Sequence, residues 1–332
     1  MMNSTKLYVG RAHDLLSEVL PAGRVVVITD VNIDRLYPQL VRRYDHIIIG
    51  LGETNKSLQT VENIYSRLME LGADRSTFIL GIGGGIVTDI AGFVAATYMR
   101  GLDFGFVSTT LLGEVDASIG GKNGVNIGGY KNMVGTFRAP RFVISDMEML
   151  ATLPQRELRA GMAEVVKAAL VGDAELFDYI ERYASEDIYR DISKMRYIVE
   201  SAVAVKMRIV EADALEGGLR RVLNLGHTLG HAIERCSREV NHGEAVAMGL
   251  VLIARAAVRY GVLSIECAER VEALLSRLGF KLQSPVSLHD VLREVKYDKK
   301  KRDNILRVVM PCEVGRCEIV EMTFDEFEKL FE

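Results

Sequence analysis

The chain has 332 residues, a formal net charge of −4 and 26% charged residues. That length allows a large buried core and two domains. The charges are mixed in sign with no basic excess, which speaks against a nucleic-acid surface. The one dense basic run, "KYDKKKRD" at 296–303, reads as a solvated patch.

The first residues, "MMNSTKLYVGRAHD", are polar and lack an apolar signal core. The longest greasy segment, "EAVAMGLVLIARAAV", contains an arginine and falls short of the ~20 apolar residues that span a bilayer. No membrane association is expected. Cys236, Cys267, Cys312 and Cys317 form no CxxC pair, so reduced thiols in a cytoplasmic protein are expected.

Strand and helix signals alternate through the first half. "RVVVITD" and "HIIIG" are β-branched runs ended by Asp or Gly, and "SLQTVENIYSRLMELG" has helical spacing and stops at Gly72. "TFILGIGGG" is strand then turn, "IVTDIAGFVAATYM" a helix, and "FGFVSTT" and "RFVISD" two further strands. Strands separated by helices predict a mostly parallel α/β sheet with helices on its faces. Ligands of such sheets bind beyond the strands' carboxyl ends, where Asp30, Gly83 to Gly85, Thr109 and Thr110 fall. After "LATLPQRE" helical patterns dominate, ending in a short hairpin over "NILRVVMPCEVGRCEIVE" and an amphipathic helix. The expected domains are 1–151, α/β, and 152–332, an all-α domain apart from that hairpin.

"GIGGGIVTDIAG" follows a strand and opens a helix. Its backbone N–H groups and helix N-terminus suit a pyrophosphate. The spacing departs from G-x-G-x-x-G: counted from Gly81 the third glycine falls on Ile86, and from Gly83 on Thr88. A tight turn without a ligand is the alternative. Asp30 and Asn32 suit ribose hydroxyls, although Asp30 equally suits a helix cap.

"STTLLGEVDASIGGKNGVNIGGYKNMVGTF" is glycine-rich and carries Asp116, Lys122, Lys131 and Asn132. It reads as a long functional loop whose lysines bind phosphate or carboxylate. A solvated surface flap is the alternative.

In the helical half, "GMAEVVK" puts Glu164 and Lys167 on one helix face. They are either an ordinary intrahelical ion pair or a metal-binding carboxylate beside a substrate-binding cation. Three of the six histidines lie in "NLGHTLGHAIERCSREVNHGEAVAMGL". By spacing His227 and His231, at i and i+4, are the first metal pair, although the H-E-x-x-H pattern is absent because Thr228 replaces its Glu. His242 needs the fold to bring it back. Glu164 and Glu244 are both candidates to complete the set.

These motifs, with "GGGIVTDIAGFVAATYMRG", "KNMVGTF", "LPQRELRAGMAEVVK", "GLRRVLNLGHTLGHAIE" and "HGEAVAMGL", resemble the 3-dehydroquinate synthase family of sugar-phosphate cyclases from about Arg24 onward. The resemblance implies a Rossmann-like NAD-binding domain and an α-helical metal domain with the active site between them. It implies zinc, with cobalt as a substitute, on Glu164, His227 and His242, while His231 faces the substrate phosphate. It implies an NAD site drawn from Asp30, Asn32, Glu53, Lys56, Gly84, Gly85, Ile86, Val87, Thr88, Asp89, Thr109, Thr110, Lys122, Lys131, Met149, Leu150, Ala151 and Thr152. The implied substrate pocket takes Asp116, Lys122, Asn132, Lys167, Lys206, Arg220, Asn224 and His231. Arg100 is implied to reach a neighbouring subunit's site in a homodimer, and Lys299 or Lys300 to close over the phosphate. Three residues depart from the family's commoner pattern: Ser108 stands where proline is usual, and Gly113 and Glu114 where less charged residues are usual.

The implied reaction converts 3-deoxy-D-arabino-heptulosonate 7-phosphate, a phosphorylated sugar acid, to 3-dehydroquinate. NAD oxidises a hydroxyl, phosphate leaves, the hydride returns, and an aldol closure forms the carbocycle. Three rivals stand beside it: another sugar-phosphate cyclase, a metal-dependent polyol dehydrogenase of the same architecture, and a metal- and nucleotide-binding regulator.

Overall fold

The computed structural model describes residues 5–214, 216–237, 239–299 and 305–332. It divides into two compact units, Met1–Leu153 and Pro154–Glu332.

In the first unit β1 (Lys6–Val9), β2 (Val25–Asp30), β3 (Asp45–Ile49), β4 (Phe78–Gly83), β5 (Phe104–Ser108) and β8 (Phe142–Ser145) form one sheet in the order β1-β8-β5-β4-β2-β3. Every pairing in it is parallel. The helices α1 (Ala12–Val19), α2 (Val31–Leu36), α3 (Pro38–Val41), α4 (Leu58–Glu70) and α5 (Gly85–Thr97) cover it. Alternation along the strands divides the apolar side chains between two cores. Val26, Ile28 and Ile79 join Ile64, Leu68 and Ile90 on one face. Val25, Val27 and Leu80 join Leu16, Ile33 and Leu40 on the other. Chain order reverses between β2 and β4, so the crevice for a ligand opens beyond Asp30 and Gly83.

The segment expected as a loop is instead a turn and a hairpin. Gly113–Ala117 forms a π-helical turn, and β6 (Lys122–Ile127) pairs antiparallel with β7 (Tyr130–Phe137), Val125 facing Val134. Gly128 and Gly129 both have positive φ, 58° and 81°, as a two-residue hairpin turn requires. That Gly-Gly pair was the available sequence signal. Four-residue β1, paired to β8, was too short for any period to show.

The second unit contains α6 (Gln155–Gly172), α7 (Ala174–Tyr183), α8 (Ile192–Ala212), α9 (His227–Cys236), α10 (His242–Tyr260), α11 (Ile265–Arg277), α12 (Leu288–Lys299), the antiparallel hairpin β9 (Ile305–Glu313) and β10 (Arg316–Thr323), and α13 (Phe324–Lys329). Helix α6 is buried almost throughout its last fourteen residues. Helix α10 presses on it: a Cβ on Gly243 would lie 2.2 Å from the Ala160 Cα. Only glycine lets the two backbones meet there. No described helix is long and apolar enough to cross a membrane.

Candidate active site

The glycine turn sits at the sheet's switch point. Gly84 is the N-cap of α5, and no side chain caps that helix among the described residues. The turn is tightly enclosed: a Cβ on Gly83 would meet Val87 at 2.5 Å, and one on Gly84 would meet Thr110 at 2.8 Å. An uncapped helix start at a switch point fits the pyrophosphate of a dinucleotide. Thr109, buried, donates its backbone N–H to the Gly83 carbonyl at 3.1 Å. Asp30 takes the capping role, accepting from the N–H groups of Asn32 (2.8 Å) and Ile33 (3.0 Å). Lys56 is buried with its ammonium 2.5 Å from the Asp89 carboxylate. Burial pushes Asp89 up to about 6 against the pull of Lys56. Glu53 accepts from Asn126 at 2.7 Å. Met149–Thr152 forms a 3-10 turn tied to Tyr37 through the Thr152 hydroxyl at 2.9 Å.

In the second unit the first residues of two helices meet the middle of a third. His227 opens α9 after Gly226, whose φ of 74° is left-handed, and His242 opens α10 after its Asn241 cap. Glu164, on buried α6, directs Oε1 to within 3.4 Å of Nε2 on both rings. Its Oε2 forms an ion pair with Lys167. Both oxygens are buried, and neither has a hydrogen-bond partner in good geometry among the described residues. Burial alone would raise the Glu164 carboxyl, but Lys167, His227 and His242 hold it well below the ordinary value. Burial, reinforced by Lys167, lowers His227. For His242 burial works downward, but the Glu164 and Glu234 carboxylates, each 3.4 Å from a ring nitrogen, dominate and raise it to about 10. One imidazole between two carboxylates creates a demand for positive charge that a proton or a metal ion meets. A buried anionic carboxylate and two half-buried imidazoles, converging on one another, fit a divalent ion such as zinc.

His231 lies beside this set, its ring centroid 5.1 Å from His227 and 5.9 Å from His242. It also converges with Glu234 and His242 as a second potential ligand group. His227 and His231 thus fall into different groups, His227 with Glu164 and His242, and His231 with Glu234 and His242. Glu244 is excluded from that set. It closes the capping box of α10 and binds Arg156 through two hydrogen bonds of 2.9 and 2.6 Å.

The remaining cations are deeply placed. Lys167, Lys206 and Arg220 are all buried, an arrangement that demands anionic partners. Asp213 gathers the N–H groups of Gly217, Gly218 and Arg220 and so shapes the turn that carries Arg220. Arg220 donates to the Ala214 carbonyl at 2.7 Å. Asn224 donates to Glu216 at 3.0 Å. Asp116 lies in the π-helical turn. Lys122 and Lys131 are exposed on the hairpin, and Asn132 beside them has φ of 54°. Lys300 and the side chain of Lys299 lie outside the described residues. Sequence reasoning missed Glu234, on α9, whose Oε2 lies 3.4 Å from His242 Nδ1.

A parallel sheet with a glycine turn at its switch point, together with a converging Glu-His-His set in a helical unit, defines a class of NAD- and metal-dependent enzymes. Two family models, for the N-terminal and C-terminal parts of 3-dehydroquinate synthase, match residues 46–160 and 161–301. The chain belongs to the 3-dehydroquinate synthase family. The enzyme of that name from Pyrococcus furiosus is 43% identical over 317 residues, 93% of this chain and 92% of that one. That from Dictyoglomus turgidum is 42% identical over 277 residues, 83% of this chain and 78% of that one. Among solved structures, the 2-epi-5-epi-valiolone synthase ValA of Streptomyces hygroscopicus subsp. jinggangensis, with NAD+ and Zn2+ bound, has a TM-score of 0.89 at 30% identity. The alignment covers 99% of this chain and 96% of that one.

Proposed function

We infer that the protein is a lyase acting on phosphate. It converts 3-deoxy-D-arabino-heptulosonate 7-phosphate to 3-dehydroquinate and phosphate, on the route to chorismate and aromatic amino acids. The observation that carries this reading is the convergence of Glu164, His227 and His242 in a chain whose two halves both match the family.

Glu164, His227 and His242 hold the divalent ion, which supplies Lewis-acid charge to the substrate's hydroxyls when bound. The glycine turn, with Asp30, Glu53, Lys56 and Asp89 around it, holds NAD, which supplies a reversible oxidation within each cycle. On the second unit Lys167, Lys206, Arg220, Asn224 and His231 bind the substrate's anionic and hydroxyl groups. Lys206 and Arg220 are buried cations, suited to a carboxylate and a phosphate. On the first unit Asp116, Lys122 and Asn132 orient the substrate. The phosphate itself is the proton acceptor in the elimination, which agrees with the lack of a dedicated protein base in this set. The same reading divides the chain functionally into 1–151 and 152–332, supported by compact units that part after Leu153. It includes a homodimer in which Arg100 reaches the neighbouring site. Left-handed backbone at Met99 (φ 48°) and Arg100 (φ 69°) supports a functional role there. A cytoplasmic location is supported by four free cysteines.

The decisive assay is phosphate release from the heptulosonate phosphate, with and without NAD and a chelator. Release that requires both, with no net NADH, is expected. Turnover of a neutral phosphorylated ketose in preference would favour another cyclase, a reading kept open by the likeness to ValA. Net NADH from a simple polyol would favour a dehydrogenase.

A further inference from the structure

His242 is gripped from both sides. Its Nε2 faces Glu164 Oε1 at 3.4 Å, and its Nδ1 faces Glu234 Oε2 at 3.4 Å. His227 is held in the same sense by a different partner: Nε2 faces Glu164 at 3.4 Å and Nδ1 faces the Leu225 carbonyl at 3.1 Å. Both rings therefore turn the same nitrogen inward and give the other to an oxygen acceptor.

An imidazole ligates a metal through a nitrogen that carries no proton, so its remaining proton must sit on the other nitrogen. A carbonyl or carboxylate at that second nitrogen fixes the tautomer and the ring's rotation, and raises the ligand's basicity. For His227 the backbone does this, and no substitution can remove it. For His242 a side chain does it. Glu234 is three residues beyond His231 and seven beyond His227 on α9, so it shares their helix face. Its side chain is only 13% exposed. The burial sets it apart from an ordinary solvated surface carboxylate.

We propose that Glu234 is a positioning residue: it accepts the Nδ1 proton of His242, fixes that ring with Nε2 turned inward, and so strengthens divalent-ion binding by Glu164, His227 and His242. The proposal rests on the metal-binding reading above. It adds a fourth residue that does not touch the ion, and a division of labour in which one ligand ring is set by the backbone and the other by a replaceable carboxylate.

The test is zinc affinity of the full-length chain, stripped of metal and titrated against a competing chelator, together with the visible spectrum of the cobalt-substituted protein. Glu234→Ala should weaken zinc binding by about 10- to 100-fold and alter the cobalt bands. Glu234→Gln, which keeps an oxygen acceptor, should recover most of the affinity and the native spectrum. Thermal melting of the stripped variants, unchanged from the parent, separates this effect from misfolding. Affinity and cobalt spectrum both unchanged in Glu234→Ala would overturn the proposal. So would a parent that binds two ions, with Glu234→Ala losing only the weaker one, since Glu234 would then be a ligand of a second ion with His231. A parent chain that binds no ion at all would overturn the metal-binding reading itself.

Discussion

Two buried carboxylates, one in each unit, meet opposite fates. Glu114, in the π-helical turn of the α/β unit, is fully buried, and among the described residues neither of its oxygens has a hydrogen-bond partner in good geometry, the backbone N–H of Asp146 giving only a weak downward pull. Glu164, on α6 of the helical unit, is almost as buried and equally lacks hydrogen bonds. Their neighbours differ. Burial, and after it the nearby Asp146, drive Glu114 well above the ordinary carboxyl value. Around Glu164 the cationic and imidazole groups overcome burial and keep it anionic. Burial alone therefore does not define a metal ligand. The charges brought to it do.

The largest expected effect comes from removing the charge at Glu164. Glu164→Gln removes the carboxylate that faces buried Lys167 and should cost about 3–5 kcal/mol in urea unfolding of the metal-free protein, and it should abolish zinc binding. A stability loss below about 1 kcal/mol would show that the ion pair is not structural.

His227→Ala and His242→Ala should each lose zinc and lower kcat by about 100- to 1000-fold, the usual cost of removing an electrostatic stabiliser of the transition state. His231→Ala should retain zinc and raise KM for the phosphorylated substrate. Metal analysis finding His231→Ala zinc-free and His242→Ala replete would reverse the ligand assignment.

Glu114→Gln should move stability the other way. A carboxyl with a raised folded-state value contributes stability that is fully present below its ordinary value of 4.5 and lost as pH rises through the raised value. The advantage of Glu114→Gln over the parent should therefore grow from about pH 4.5 upward. It should reach about 1–3 kcal/mol at alkaline pH, the cost of an unsatisfied buried polar group. Denaturant midpoints across pH that ran parallel for the two proteins would refute the contrast. Smallest is Glu244→Ala, which breaks a capping box and should cost about 1 kcal/mol with zinc content unchanged. Zinc loss there would restore Glu244 as a ligand candidate.

The three departures from the family's commoner pattern, Ser108, Gly113 and Glu114, cluster in the α/β unit. A Cβ on Gly113 would come within 2.4 Å of the Ser108 hydroxyl oxygen, so the two small residues fit together. Ser108 Oγ is itself buried with no hydrogen-bond partner among the described residues. The structure gives no reason for a carboxyl at Glu114.

Periodicity revealed the parallel sheet because β2, β4 and β5 are continuous buried runs between helices. It also revealed the glycine turn, since a glycine cluster between strand and helix has few other uses. Short β1 and the β6–β7 hairpin stayed hidden, the first for want of length and the second behind glycines that read as a loop. Among the metal candidates, i and i+4 spacing alone favoured His231 over His242. The assignment of His242 came from the resemblance, and the convergence of Nε2 atoms on Glu164 agrees with it.

The sequence by itself determined the two-part architecture, the family and the residue types available for chemistry, because hydrophobic period, turn glycines and long motifs are local properties of the chain. Tertiary structure decided which of those residues meet. Glu164, Glu234 and Glu244 are equivalent carboxylates as sequence. The contact of α10 with α6 at Gly243, and the two helix starts at His227 and His242, make one a ligand candidate, the second a support and the third a cap. Distances between residues tens of positions apart depend on how helices pack, and no local pattern contains them.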